Sequence, residues 1–66
     1  MSNELARVIQ RMAPPGTEAV FTLLTGEEIA GVITRVGSCY VLLEDSHSLI
    51  GIAMGMIGAW RTPRQA

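Results

Sequence analysis

Two hydrophobic rhythms divide this chain. Leu5, Val8, Ile9 and Met12 fall at i, i+3, i+4 and i+7, with Glu4, Arg7 and Arg11 toward the other side, so residues 4–12 are expected to form a short amphipathic helix. Ser2 or Asn3 can cap it, Glu4 suits the positive end of its dipole, and Pro14-Pro15-Gly16 stops it. A helix this short is marginal alone, so its apolar stripe must rest on the rest of the chain.

From Glu18 the period changes to two. Ala19, Phe21 and Leu23 share one face of a first strand that ends at a Thr25-Gly26 turn, and Ile29, Gly31 and Ile33 share one face of a second that runs out at Val36-Gly37-Ser38. Cys39, Val41 and Leu43 alternate with Tyr40, Leu42 and Glu44 in a third strand. Asp45-Ser46-His47-Ser48 is a short polar turn, followed by a fourth strand around Leu49 to Met54 and a fifth around Met56 to Arg61, split near Gly55. Gly31 stands inside a strand, where the missing side chain permits a sharp bend. The pattern is therefore mainly β: a short N-terminal α-helix, then five strands over residues 18–61 in a strongly bent small barrel, with 62–66 a frayed tail.

Composition adds a need for partners. At 66 residues the chain is one domain, 1–66, yet 48% of it is hydrophobic and only 17% charged. A core of this size seldom supplies more than about 3–5 kcal/mol, and small domains usually add disulfides, a metal or oligomerisation. Cys39 and His47 are each alone, which leaves no disulfide, no Cys/His metal site and no cofactor to expect, and makes oligomerisation the remaining route. A single thiol fits a reducing cytoplasm. The N-terminus lacks the continuous apolar core of a secretory signal, and the run Leu49 to Trp60 is too short for a membrane span. Net charge is −1, from five arginines and no lysine against six acids, so contact with a nucleic acid has to come from local placement of charge rather than a basic field.

The helix at Glu4 to Met12, then AVFTLLTG, EIAGVI, YVLLED and the closing MIGAWRTPR resemble the Sm-like proteins over nearly the whole chain, with proportions closest to the bacterial Hfq branch. Ala19, Phe21, Leu23, Gly26 and Gly31 follow that family's first signature motif. The resemblance implies an SH3-like (Sm-like) barrel and a homo-oligomeric ring of six or seven subunits, the fourth strand of one pairing with the fifth of the next. LIGIAMGMIGAW agrees, because it would leave apolar edge strands bare in a monomer. Leu49, Ile50, Ile52, Met54, Met56, Ile57 and Trp60 are the interface candidates, Trp60 serving as an interface or a core anchor.

The family's base-reading residues are replaced. Gly37, Cys39 and Tyr40 stand where Sm proteins carry an aspartate, an apolar residue and an asparagine, and Ala53-Met54 where Hfq carries a lysine-histidine pair. Tyr40 is left as a platform on which a base could stack, or as a strand tyrosine packed on a neighbour. Arg35 and Ser38 lie by the same loop, with Glu44 or Asp45 as alternative partners for Arg35. Arg7 and Arg11, four apart on the helix, can meet phosphates or remain solvated beside Glu4; Arg61 and Arg64 have the same two readings. His47 beside Asp45 and two serines lies in one tight turn, where no catalytic relay can form around a substrate, so an enzyme is not expected. Two functions stay open: a cytoplasmic ring that binds single-stranded RNA as a chaperone or scaffold, and an oligomeric structural or protein-interaction module of the same fold without RNA.

Overall fold

A computed structural model describes residues 4–63. Helix α1 (Glu4–Met12) leads into β1 (Glu18–Leu23), β2 (Glu28–Val36), β3 (Tyr40–Glu44) and β4 (Leu49–Ala53); a single 3-10 turn at Met54–Met56 then delivers the chain to β5 (Ile57–Arg61). The Ser2 or Asn3 cap and the tail from Arg64 lie outside the described residues.

All five strands join one antiparallel sheet in the order β4-β3-β2-β1-β5. β2 is long enough to serve two neighbours in turn. Its first half, Glu28 to Val32, pairs with β1, and its second half, Val32 to Val36, pairs with β3. Gly31 sits at the changeover, and a Cβ built on it would come within 3.0 Å of the Glu44 carbonyl oxygen and 3.2 Å of Leu43 Cβ. These contacts are tighter than ordinary packing, and β3 would have to give by a few tenths of an ångström to admit a side chain where β2 changes partners. The register then shifts between Ile33 and Arg35, and the intervening Thr34 hydroxyl donates to Leu42 O at 3.3 Å. Such an extra residue increases local bending and twist.

The link from β4 to β5 shows how far the sheet curls. Laid flat, five strands at about 4.8 Å spacing would hold their outer edges about 19 Å apart. One 3-10 turn, rising about 2 Å per residue, covers less than half of that. Met54 N–H donates to Cys39 O and Leu24 N–H to Met56 O, both at 2.9 Å, which ties the turn to the start of β3 and the end of β1. The two edges are thus drawn toward each other, although β4 and β5 form no ladder and the sheet is not closed.

Inside the curl lie Ala19, Phe21, Ile33, Val41, Leu43, Ile52 and Met54, covered by Ala6, Ile9 and Ala13 of the helical segment. The side chains buried among the described residues are all apolar. The helix presents a different face from the one its large residues suggested. Ile9 is fully buried and Leu5 packs against the core, but Val8 and Met12 are 44% and 66% exposed, while the small Ala6 and Ala13 face inward. Close approach of backbone to sheet selects alanine over bulk, and this rotates the buried stripe away from Val8 and Met12. Gln10 Nε2 fixes the helix by donating to Val36 O at 2.8 Å.

Tight turns complete the fold. Gly26 N–H donates to Leu23 O at 2.9 Å with φ at +93°, a conformation open to glycine at little cost. Ser38-Cys39 and Ser46-His47 are the two-residue loops of the next hairpins, closed by Gly37 N–H to Tyr40 O and Asp45 N–H to Ser48 O.

Candidate nucleic-acid interface

The C-terminal end of β2 gathers candidates that are far apart in sequence. Arg35 is exposed and pairs in register with Leu42, whose side chain lies over Gly51, so Arg35 belongs to the outer face of the sheet. The Gln10 bond to Val36 brings α1 to the same end. Successive helical residues turn by about 100°, which places Arg7 and Arg11 beyond Gln10 on the solvent side; both are exposed. The turn Gly37–Tyr40 follows directly, carrying Ser38. None of Arg7, Arg11 and Arg35 forms an ion pair among the described residues, and Arg35 joins neither Glu44 nor Asp45. Arg61 differs: it reaches diagonally across the outer face to Glu28 Oε2 at 3.3 Å, an exposed pair that contributes little to stability.

Tyr40 is half-buried, and its ring lies on Gly37 across the hairpin: a Cβ built on Gly37 would be 2.5 Å from Tyr40 Cε2. The strand-packing alternative therefore describes its resting place, with the aromatic plane fixed beside Arg35 by the missing side chain at Gly37. Sequence pattern marked Tyr40 but gave no reason to attend to Gly37, since the contact exists only once the hairpin register is known.

The other end of the hairpins is acidic. Asp45 Oδ1 accepts from the backbone N–H groups of His47 and Ser48, each at 2.7 Å, and from Ser48 Oγ at 3.2 Å. These backbone bonds, then the hydroxyl, hold its carboxyl below the ordinary aspartate range. It binds the main chain of His47 and serves as the staple of a turn. Glu44 precedes it, and Glu27 and Glu28 occupy the far end of β2, so charge is segregated along the sheet.

No family model, curated protein or solved structure matches this chain. What the chain can do is therefore argued from its own surfaces.

The interface candidates separate into three groups. Ile52 and Met54 are 4% and 6% exposed within the chain's own core, so their side chains are not presented to a neighbour. Ile50, Ile57 and Trp60 are half-buried against that core, and the Trp60 ring stacks on Phe21 with centroids 6.1 Å apart and planes 16° from parallel. Trp60 thus packs on the core of its own chain with part of its side chain still exposed. Leu49 and Met56, 63% and 41% exposed, remain as apolar side chains at the two free edges, and Leu24, 67% exposed and lying over Gly58, joins Met56. Leu24 went unnoticed in sequence because it sits between a strand and its turn.

No group of three or more His, Cys, Asp or Glu among the described residues is placed to hold a metal. No helix among the described residues is long and apolar enough to cross a membrane.

Proposed function

We propose that this chain is a cytoplasmic, Sm-like β-barrel subunit that assembles with copies of itself and holds single-stranded RNA at the C-terminal end of β2. The observation that carries the reading is the placement of Arg35, Tyr40 and Ser38 in one corner, with Arg7 and Arg11 extending it and no ion pair to a carboxylate at any of the three arginines among the described residues. Arginine supplies phosphate contacts in fork geometry, and an aromatic plane accepts any base by stacking, so this set suits single strands better than a paired helix with its bases stacked inside. The strand order supports the assembly half of the proposal. β4 and β5 occupy opposite ends of one curled sheet, each with an unpaired outer edge, and Leu49 and Met56 flank those edges. Addition of one copy's β4 to another's β5 would bury both and close into a ring when the rotation permits.

Native mass spectrometry with short uridine-rich and adenine-rich strands tests both halves. The expected species is a closed homo-oligomer that takes up one strand, whose affinity falls with salt by about 0.7 log units per log unit for each phosphate contacted. Tyr40→Ala should weaken that binding by about 1–3 kcal/mol while leaving assembly unchanged. An oligomer that ignores both strands would transfer the function to the second reading, a structural or protein-interaction module, which the bare apolar edges support by themselves. A monomer would remove the assembly proposal.

A further inference from the structure

The solvent side of α1 is amphipathic. Arg7 and Arg11 follow one another up the helix, and beside them run Val8 and Met12, which the core leaves exposed. Val8 and Met12 are four residues apart, so they form one small apolar strip along the solvent side of this nine-residue helix.

Elsewhere on the molecule a shallow groove matches this surface in both respects. Its floor is apolar, formed by Val20 of β1 with Ala30 and Val32 of β2. Carboxylates stand along its rim: Glu18, Glu44 and Asp45. The register places Glu18 and Glu44 on either side of Val32 in one row across three strands, about 10 Å apart at two strand spacings. Arg7 and Arg11 are one helical turn apart, about 6 Å between Cβ atoms, and their long side chains can splay to two such carboxylates. Neither Glu18 nor Glu44 has an ion-pair partner among the described residues.

We propose that the outer face of α1 docks in this groove on a second copy of the chain, with Val8 and Met12 over Val20, Ala30 and Val32, and with Arg7 and Arg11 meeting Glu18 and Glu44. The occupant is a second copy because both halves of a match in charge and apolarity are carried by the same chain, while the acidic rim repels a nucleic acid. Helix and groove are different surfaces, so the contact is head-to-tail and each added copy leaves one helix and one groove free. It involves neither edge of the sheet and does not depend on RNA binding. It does occupy Arg7 and Arg11, so RNA and the groove compete for those two residues.

A charge swap in the full-length chain tests this. Sedimentation equilibrium at low salt and at about 1 M salt, where the Debye length is about 3 Å, measures the association, with circular dichroism confirming the fold of each variant. Met56→Lys is included throughout to block the β5 edge and isolate the contact, since Leu49 pairs directly with Glu44 and a lysine there would disturb the groove. Glu18→Arg with Glu44→Arg, or Arg7→Glu with Arg11→Glu, should each weaken self-association at least about tenfold, and all four together should restore it, because the complementary signs return in exchanged places. High salt should weaken the parent contact and the restored contact alike. An association indifferent to either reversal, a four-substitution chain that does not recover, or a Met56→Lys protein that is monomeric at low salt would each overturn the proposal. The last outcome leaves edge-mediated assembly standing, whereas loss of edge assembly alone leaves this contact intact.

Discussion

Gly31→Ala tests whether the bend in β2 is held by packing. A methyl group at this position would meet the Glu44 carbonyl oxygen at 3.0 Å and Leu43 Cβ at 3.2 Å, and neither atom is the free end of a flexible side chain. Relief would need movement of the β3 backbone away from β2, at the very residues where Val32 pairs with Glu44 and Ile33 with Leu43. Overpacking of this kind costs about 1–3 kcal/mol. Against it stands a gain of about 0.4–1 kcal/mol from the smaller conformational freedom of alanine in the unfolded chain. The steric term wins, leaving a net loss of about 1–2 kcal/mol, a large part of the roughly 3–5 kcal/mol that a domain of this size can command. Thermal melts at matched protein concentration should show a midpoint lower by several degrees, since about 1 kcal/mol moves a domain this small by about 4–8 °C. Gly55→Ala is the control: nothing lies within 4 Å of a Cβ there and its φ is not positive, so that variant should melt at or slightly above the parent. If Gly31→Ala were as stable as Gly55→Ala, β2 would not be bent tightly against β3 and the argument for the curl would fail at its centre.

The remaining predictions concern the core, the helix and the acidic turn. Trp60→Ala should lower unfolding free energy by about 2–3 kcal/mol in urea titration, below the range for a fully buried aromatic because Trp60 is half-buried, and an unchanged midpoint would refute its stacking on Phe21 as a source of stability. Ala6→Leu should destabilise the folded subunit by about 1–3 kcal/mol whereas Met12→Lys should change it by less than about 0.5, and the reverse order in melts of an edge-blocked Leu49→Lys background would mean the helix packs through its large residues after all. The Asp45 carboxyl should titrate below an ordinary aspartate in NMR. Because the folded value is the lower one, its contribution to stability is present at neutral pH and disappears as pH falls through that folded value; Asp45→Ala should remove this part of the acid dependence.

Much of this fold can be read from alternation alone, because a strand with one buried face writes its register into the sequence. Ala19 and Phe21, Ile33, and Val41 with Leu43 all read correctly as inward-facing, and the turns at Gly26 and at Asp45 to Ser48 fall where their residue types place them. Gly31 was legible as a bend because a glycine in a strand has few other uses. The helix face was not. Hydrophobic periodicity weights residues by size, and the criterion that operated here was closeness of approach, which favours Ala6 and Ala13 over Val8 and Met12. Met54 lies in an apolar run that reads as an edge, and the 3-10 turn, which has no signature in that run, folds its side chain into the core. The candidate site was legible residue by residue and not as a site. Arg7, Arg11, Arg35 and Tyr40 are brought toward one end of β2 by the Gln10–Val36 bond and the Gly37–Tyr40 hairpin, and neither contact has a signature in spacing.

The same curl that gives so short a chain a core also determines what is left outside it. Bringing β4 and β5 within reach of one 3-10 turn buries Ile52 and Met54, which a flat sheet would expose, but it stops short of a ladder between the two strands. A further turn of the sheet would pair those edges and remove them as a route to association. A looser one would strip Phe21 and Ile33 of their cover and leave too little core to fold. The intermediate geometry keeps a dry interior and two bare edges together, and Leu49 and Met56 mark where water still touches apolar surface at those edges. The proposed association through these edges would follow from how the core is built, and the arginine corner at the end of β2 would remain open to a ligand because none of Arg7, Arg11 and Arg35 is tied into an ion pair among the described residues.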